Sequence, residues 1–253
     1  KRILQKVPLL ILSLIFGIIG IYMLNHFGSL STNDDLTNFN FIQRIFLGAF
    51  SFIVYLVKAI VPFRLSPLYP YPAHFPWYFY PSILIAPAII YFLYKAYIRE
   101  QKTLVFGIVF FIVNIIFLLQ ILCAGQGYLA DRFTYMAYFG LFFIAGYYFD
   151  KWMIHNTFQP AILWSVSGFI MLIYGFMTFS QNKIWENSGT LWSHVLKYYT
   201  QTTLPYGNRA NYYREQKMYP QAWSDYTSSL KLKEHQPQVY NSRGRLYFEA
   251  AKG

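Results

Sequence analysis

The 253 residues are 56% hydrophobic, 22% aromatic and only 12% charged, against roughly 25% charged in an ordinary globular protein. A water-soluble chain of this length has too little interior to hide so much apolar surface, which excludes a pair of conventional soluble domains. The 21 Lys+Arg against 10 Asp+Glu give a formal net charge of +11, yet these few charges punctuate long uncharged runs, as in a membrane protein. The single Cys123 lies in an apolar run, which leaves neither a disulfide framework nor a cysteine metal site. The chain opens on Lys1 and stops inside a repeat, so it reads as a fragment.

Val7–Leu24 is 18 residues without a charge, near the length that crosses about 30 Å of hydrocarbon at about 1.5 Å per residue. Lys1, Arg2 and Lys6 flank it, and no small-x-small cleavage site follows at Asn25–His26. A retained span is therefore expected rather than a signal peptide. The polar loop Ser29–Asn40 carries Asp34 and Asp35. Paired carboxylates can bind a divalent cation or act as a base, but in a polar loop with no other ligand nearby a solvated turn is the favoured reading. The next apolar stretch, Phe41–Val61, is interrupted by Arg44 and Lys58. Its residues Arg44, Gly48, Ser51, Tyr55 and Lys58 recur at helical spacing and form the polar edge of an otherwise apolar helix. Cations on such an edge either touch lipid headgroups or serve a site.

Pro67–Pro72 and Trp77–Tyr80 follow without a charge. Their prolines argue against a helix, and their Tyr and Trp rings suit backbone held at the headgroup level. His74 is a lone histidine in this aromatic loop. Four more spans are expected at about 82–98, 103–123, 133–149 and 160–180. Lys95, Arg99 and Lys102 crowd one short connection, which with the basic start marks the cytoplasmic side. Counting from there puts 63–81, 124–132 and everything after Ser180 outside. Both ends of 41–61 then lie outside, so that helix is expected to be interfacial or re-entrant. The outer loop Gly127–Tyr135 contains adjacent Asp131 and Arg132, which point different ways on a helix and so serve different partners. Arg132 suits a phosphate or carboxylate, but spacing alone favours a structural ion pair that anchors a helix end.

Residues 181–253 hold 10 Lys+Arg and 5 Asp+Glu and read as soluble. Shifted by 34, the chain matches itself: Ser188 falls on Ala222, Trp192 on Tyr226, Leu196 on Leu230, Tyr206 on Tyr240, Arg209 on Arg243, Ala210 on Gly244 and Tyr213 on Tyr247. A 34-residue period with small residues at positions 8 and 20 is the tetratricopeptide signature. The expected array has a capping unit at 187–200, a full repeat at 203–236 opened in its second half by Pro220, and a truncated repeat at 239–253. Such arrays bind polypeptides or partner proteins, and without a stacking motif nucleic acid is not expected. No P-loop, zinc motif, nucleophile elbow or dinucleotide fingerprint occurs, so nothing supports a soluble nucleotide-dependent enzyme.

The run Ala130–Met136 resembles the "A-[DE]-R-Y-x-Y-x-P" loop of the transmembrane and tetratricopeptide-containing O-mannosyltransferases and their bacterial relatives. Ser51–Pro72, with its Tyr69-Pro70-Tyr71-Pro72, and Trp185–Leu196 resemble two further stretches of that family. Ala137 departs from it, standing where the family usually has proline. The resemblance implies an all-α chain: a polytopic transmembrane bundle of GT-C type over 1–182, followed by a tetratricopeptide α-solenoid over 183–253. It also implies a bacterial inner-membrane location with a periplasmic array. The implied activity is transfer of a sugar from a polyprenyl-phosphate donor to a polypeptide acceptor, within a larger membrane complex if partners are recruited. In that fold the catalytic carboxylate sits in the first external loop, which this chain is expected to lack, so no catalytic residue is assigned. No metal ligand set is implied. Arg132, Lys58 and Arg44 are the expected lipid-phosphate cations, with Asp131, Tyr135, Tyr55, Tyr71 and His74 shaping the site. The alternative is a non-enzymatic membrane scaffold in a secretion or envelope-assembly complex. A transporter is weaker, because no span carries the paired charges or Gly/Pro break of a midplane site.

Overall fold

The computed structural model describes residues 6–26, 39–121, 127–155 and 160–251. Lys1, Arg2, the Asp34–Asp35 pair, Cys123 and Asn156 lie outside them. Among the described residues the regular elements are helical, apart from one antiparallel bridge between Tyr69 and Leu129.

Helix α1 is Val7–His26 and α2 is Phe41–Ile60. Asn40 starts α2 with a reciprocal cap: its side chain accepts from the Gln43 amide, and the Gln43 side chain accepts from the Asn40 amide. The chain then bends at Val61, Arg64 and Pro67 and enters a 3-10 turn at Trp77–Leu84 that leads into α3, Ile85–Ile98. This corrects the expectation that prolines exclude helix throughout this segment. A proline's fixed φ fits the start of a 3-10 turn, and Pro76 precedes the turn while Pro81 lies within it.

Helix α4 is Lys102–Ile115, tightening to a 3-10 turn at Ile116–Leu118. Gln120 then takes a left-handed φ of 58°, which ends the helix short of the expected 123. Helix α5 is Tyr138–His155, and it starts later than the expected 133. Asp131–Thr134 instead forms a separate 3-10 turn, with the Thr134 hydroxyl on the Asp131 carbonyl at 2.8 Å. Helix α6 is Pro160–Asn182.

Among the described residues three stretches are long and apolar enough to cross a membrane: Phe41–Ile60, Trp77–Ile98 and Ala161–Trp185. A third of the first is buried, against 11% and 6% of the others, so α2 is the central helix of this region. Its buried face is Leu47, Gly48, Ser51, Phe52, Tyr55 and Lys58, which takes in Gly48, Ser51, Tyr55 and Lys58 of the polar edge read from the sequence but not Arg44. That part of the edge therefore faces the protein interior.

The core joins Phe52 and Tyr55 of α2 and Phe111 and Ile115 of α4 to Tyr69 and Leu129 of the two loops. The loops approach closely, with the Tyr69 amide on the Leu129 carbonyl at 3.1 Å and the Tyr128 amide on the Tyr69 carbonyl at 2.9 Å. A Cβ at Gly127 would meet the Tyr69 carbonyl at 2.5 Å, so glycine is required there. Helices α4 and α5 likewise cross at small residues, where a Cβ on Gly107 would meet the Gly140 carbonyl at 2.6 Å.

The remaining helices are α7 (Ser188–Tyr198), α8 (Thr203–Glu215), α9 (Tyr219–Leu232) and α10 (Pro237–Ala250). Each packs on the next. Ala210, Ala222 and Tyr226 are wholly buried between them, with Leu246 beside them. The small residues at the repeat positions thus let α8 and α9 approach, and Pro220 opens α9. Arg209 clamps Asp225 with two bonds of 2.7 and 2.8 Å across the same pair.

Candidate functional site

The inward face of α2 meets the 127–134 loop turn by turn. The Ser51 hydroxyl donates to the Leu47 carbonyl at 2.8 Å and lies 3.5 Å from the Tyr128 carbonyl. The Tyr55 hydroxyl donates to the Ala130 carbonyl at 3.3 Å and accepts from the Ala130 amide at 3.1 Å. Lys58 Nζ donates to Asp131 Oδ1 at 3.0 Å and to the Tyr69 hydroxyl. The other carboxylate oxygen, Asp131 Oδ2, accepts from the Ser66 amide at 2.5 Å and lies 2.7 Å from the Tyr69 hydroxyl. That single phenolic proton also has the Arg64 carbonyl within reach at 2.8 Å. Burial first, and then the Asp131 carboxylate, hold the Tyr69 phenol well above its ordinary pKa.

The Lys58 and Asp131 side chains are only 4% and 19% exposed. Charges so withdrawn from water persist only when paired and hydrogen-bonded, and here each compensates the other. The neighbouring cations are arranged differently. Arg132 is exposed, with Nη1 donating to the Pro67 carbonyl at 2.8 Å. Arg64 is also exposed, its guanidinium 5.7 Å from the Tyr198 ring centroid. Its φ of 46° is the left-handed region that non-glycine residues rarely occupy. Lys58, Arg64 and Arg132 against Asp131 leave a local surplus of two positive charges, both on the surface.

The structure thus brings together Lys58, Tyr55 and Asp131, with Arg132 bonded to the Pro67 carbonyl next to the Ser66 amide that Asp131 holds. Lys58 is corrected from an open phosphate ligand to the partner of Asp131. Arg44 stands 14 residues before Lys58 on α2, about 21 Å along the helix, and its Nε donates to the Phe39 carbonyl at 2.9 Å. It therefore does not share a site with Lys58 and Arg132. His74 and Tyr135 are exposed, outside the bonded cluster. Tyr71 is half-buried, its hydroxyl 3.5 Å from Gln120 Oε1.

Sequence reasoning missed Arg64, Ser66 and Tyr69. Tyr69 lies in the stretch read as an aromatic interface and Ser66 just before it, and no local spacing says that residue 66 meets residue 131. It also missed how the same loop docks on the C-terminal helices. The Leu65 carbonyl accepts from Gln181 Nε2 at 3.3 Å and lies 3.1 Å from His194 Nε2, while the Tyr69 and Tyr199 rings meet at 5.9 Å. Farther along, Tyr71 and Ala73 wall a groove of about 650 Å³ with Asn208 and Asn211 of α8 and Gln236 and Ser242 near and on α10. Its amide and hydroxyl lining suits the alternating donors and acceptors of a peptide backbone. Among the described residues no three His, Cys, Asp or Glu side chains gather as a metal site. No protein-family model, curated protein or solved structure matches the chain.

Proposed function

We propose that this chain is a polytopic, GT-C-like membrane glycosyltransferase whose Arg132 and Arg64 hold a polyprenyl-phosphate sugar at the outer, periplasmic face. In this reading α7–α10 form a tetratricopeptide array, and the groove beside Tyr71 takes the polypeptide acceptor. The observation that carries it is the charge arrangement around Asp131. Lys58 neutralises the carboxylate, so the exposed guanidinium groups of Arg64 and Arg132 remain as surplus positive charge, Arg64 on the loop that leads into the groove wall and Arg132 bonded to that loop at the Pro67 carbonyl. Guanidinium groups bind phosphate oxygens in paired, charge-assisted hydrogen bonds, and they stabilise negative charge as a phosphate leaves. Donor and acceptor would then meet along the 64–73 segment, to which Arg132 is joined through the Pro67 carbonyl.

The test is binding of polyprenyl phosphate to the chain in nanodiscs, comparing wild type with Arg132→Gln and Arg64→Gln. Loss of one charge-assisted contact weakens binding by roughly tenfold or more, and unchanged affinity in both variants overturns the assignment. A scaffold reading has one specific observation in its favour: Asp131, the carboxylate of the cluster, is held by Lys58, Ser66 and Tyr69 and is not free to act as a base. Peptide binding in the groove without lipid-phosphate binding identifies the scaffold.

A further inference from the structure

The backbone that carries Arg64 is fixed from three sides. The Arg64 carbonyl lies 2.8 Å from the Tyr69 hydroxyl, and Asp131 Oδ2 accepts from the Ser66 amide at 2.5 Å. Between them the Leu65 carbonyl is within bonding distance of Gln181 Nε2 and His194 Nε2. Arg64 itself takes the left-handed φ of 46°. A non-glycine residue keeps that conformation only where its surroundings impose it, and such imposed strain gathers where the direction of a side chain matters.

The Arg64 side chain ends on α7. Its guanidinium lies 5.7 Å from the centroid of the Tyr198 ring, and Lys197 Nζ lies 5.8 Å from the same centroid. One turn earlier on α7, the His194 ring packs edge-on against Tyr198, with centroids 5.3 Å apart. The histidine that reaches the Leu65 carbonyl therefore also braces the ring beside the Arg64 guanidinium. Among the described residues no carboxylate pairs with Arg64 or Lys197, and no acceptor bonds the Arg64 guanidinium. The ring thus gathers two cations and no anion. A ring face attracts a guanidinium through its charge, which leaves the in-plane N–H groups open to a phosphate. We infer that Tyr198 is a positioning residue of the lipid-phosphate site: it fixes the Arg64 guanidinium where the phosphate binds, and Lys197 adds charge beside it. The inference rests on the phosphate role of Arg64 proposed above. It makes α7, the first of the C-terminal helices, part of the donor site.

The test measures polyprenyl phosphate binding to the full chain in nanodiscs, with Tyr198→Leu and Tyr198→Phe, each also combined with Arg64→Gln. Loss of an exposed cation–ring contact predicts an affinity roughly two- to fivefold weaker in Tyr198→Leu. Tyr198→Phe keeps a ring and should restore the affinity. With Arg64→Gln in place, Tyr198→Leu should add no further loss. A loss that Tyr198→Phe does not restore, or that persists beside Arg64→Gln, overturns the inference and marks a ring with a merely structural role. So does wild-type affinity in Tyr198→Leu when Arg64→Gln alone is weakened. Wild-type affinity in Arg64→Gln instead removes the phosphate reading on which the inference depends. If thermal unfolding shows that Tyr198→Leu does not fold, progressively fluorinated phenylalanines at position 198 take its place. These keep the ring while drawing charge from its face, so affinity should fall along the series, and a flat series overturns the inference.

Discussion

Lys58 and Asp131 show how one ion pair can order two loops. Asp131 holds the α2 ammonium with one oxygen and the Ser66 amide with the other, so either substitution leaves a buried charge and several unsatisfied polar groups. Lys58→Met or Asp131→Asn should each destabilise the fold by on the order of 3 kcal/mol, while Lys58→Met combined with Asp131→Leu should cost much less than the sum. Thermal unfolding in detergent measures this, and additive losses would contradict the pairing. Tyr69 adds a pH dependence. A phenol whose folded pKa is raised contributes its stability fully below the unfolded value, here 10.0, and loses it as pH climbs through the folded value. Wild type should therefore lose stability more steeply than Tyr69→Phe above pH about 10, by alkaline unfolding. The divergence of Asp131 and Arg132 was legible in the sequence because neighbouring side chains leave a turn in different directions. The partner of Lys58 was not, because 73 residues separate the two and only the tertiary fold brings them together.

At the scale of elements, periodicity was the most informative signal. The stripe Arg44, Gly48, Ser51, Tyr55, Lys58 did mark a distinct face of α2, but hydropathy alone does not say whether a polar face meets water, headgroups or another segment's backbone. Here it meets the carbonyls and amides of the 128–131 loop. Helix ends were less legible. The close of α4 depends on a left-handed Gln120, and the start of α5 on a 3-10 turn bonded through Thr134, neither of which changes the apolar pattern. Two substitutions examine the close contacts. Gly107→Leu places a side chain against the Gly140 carbonyl and should separate α4 from α5, costing about 1–3 kcal/mol or more. Ala222→Leu should cost a similar amount and be confined to the α8–α9 pair, as read by hydrogen exchange of its amides. Unaltered protection there would contradict the packing.

For the whole molecule, one loop connects two regions of different composition. Residues 64–69 rest on α2 through Asp131 and on the C-terminal helices through Leu65 and Tyr69, and residues 71–73 then wall the polar groove. The low charge content foreshadowed apolar helices of membrane-crossing length, and the helical spacing of the C-terminal part foreshadowed helices there, but the joint between the two was invisible because it is made by backbone carbonyls and aromatic rings that carry no pattern. The central claim is that this joint presents Arg64 and Arg132 to a lipid phosphate. The most direct measurement is the affinity of polyprenyl phosphate for the chain in nanodiscs, with Arg64 and Arg132 both changed to Gln. The account predicts that binding weakens by roughly a hundredfold while thermal stability changes little. Undiminished affinity in a folded double variant would contradict it.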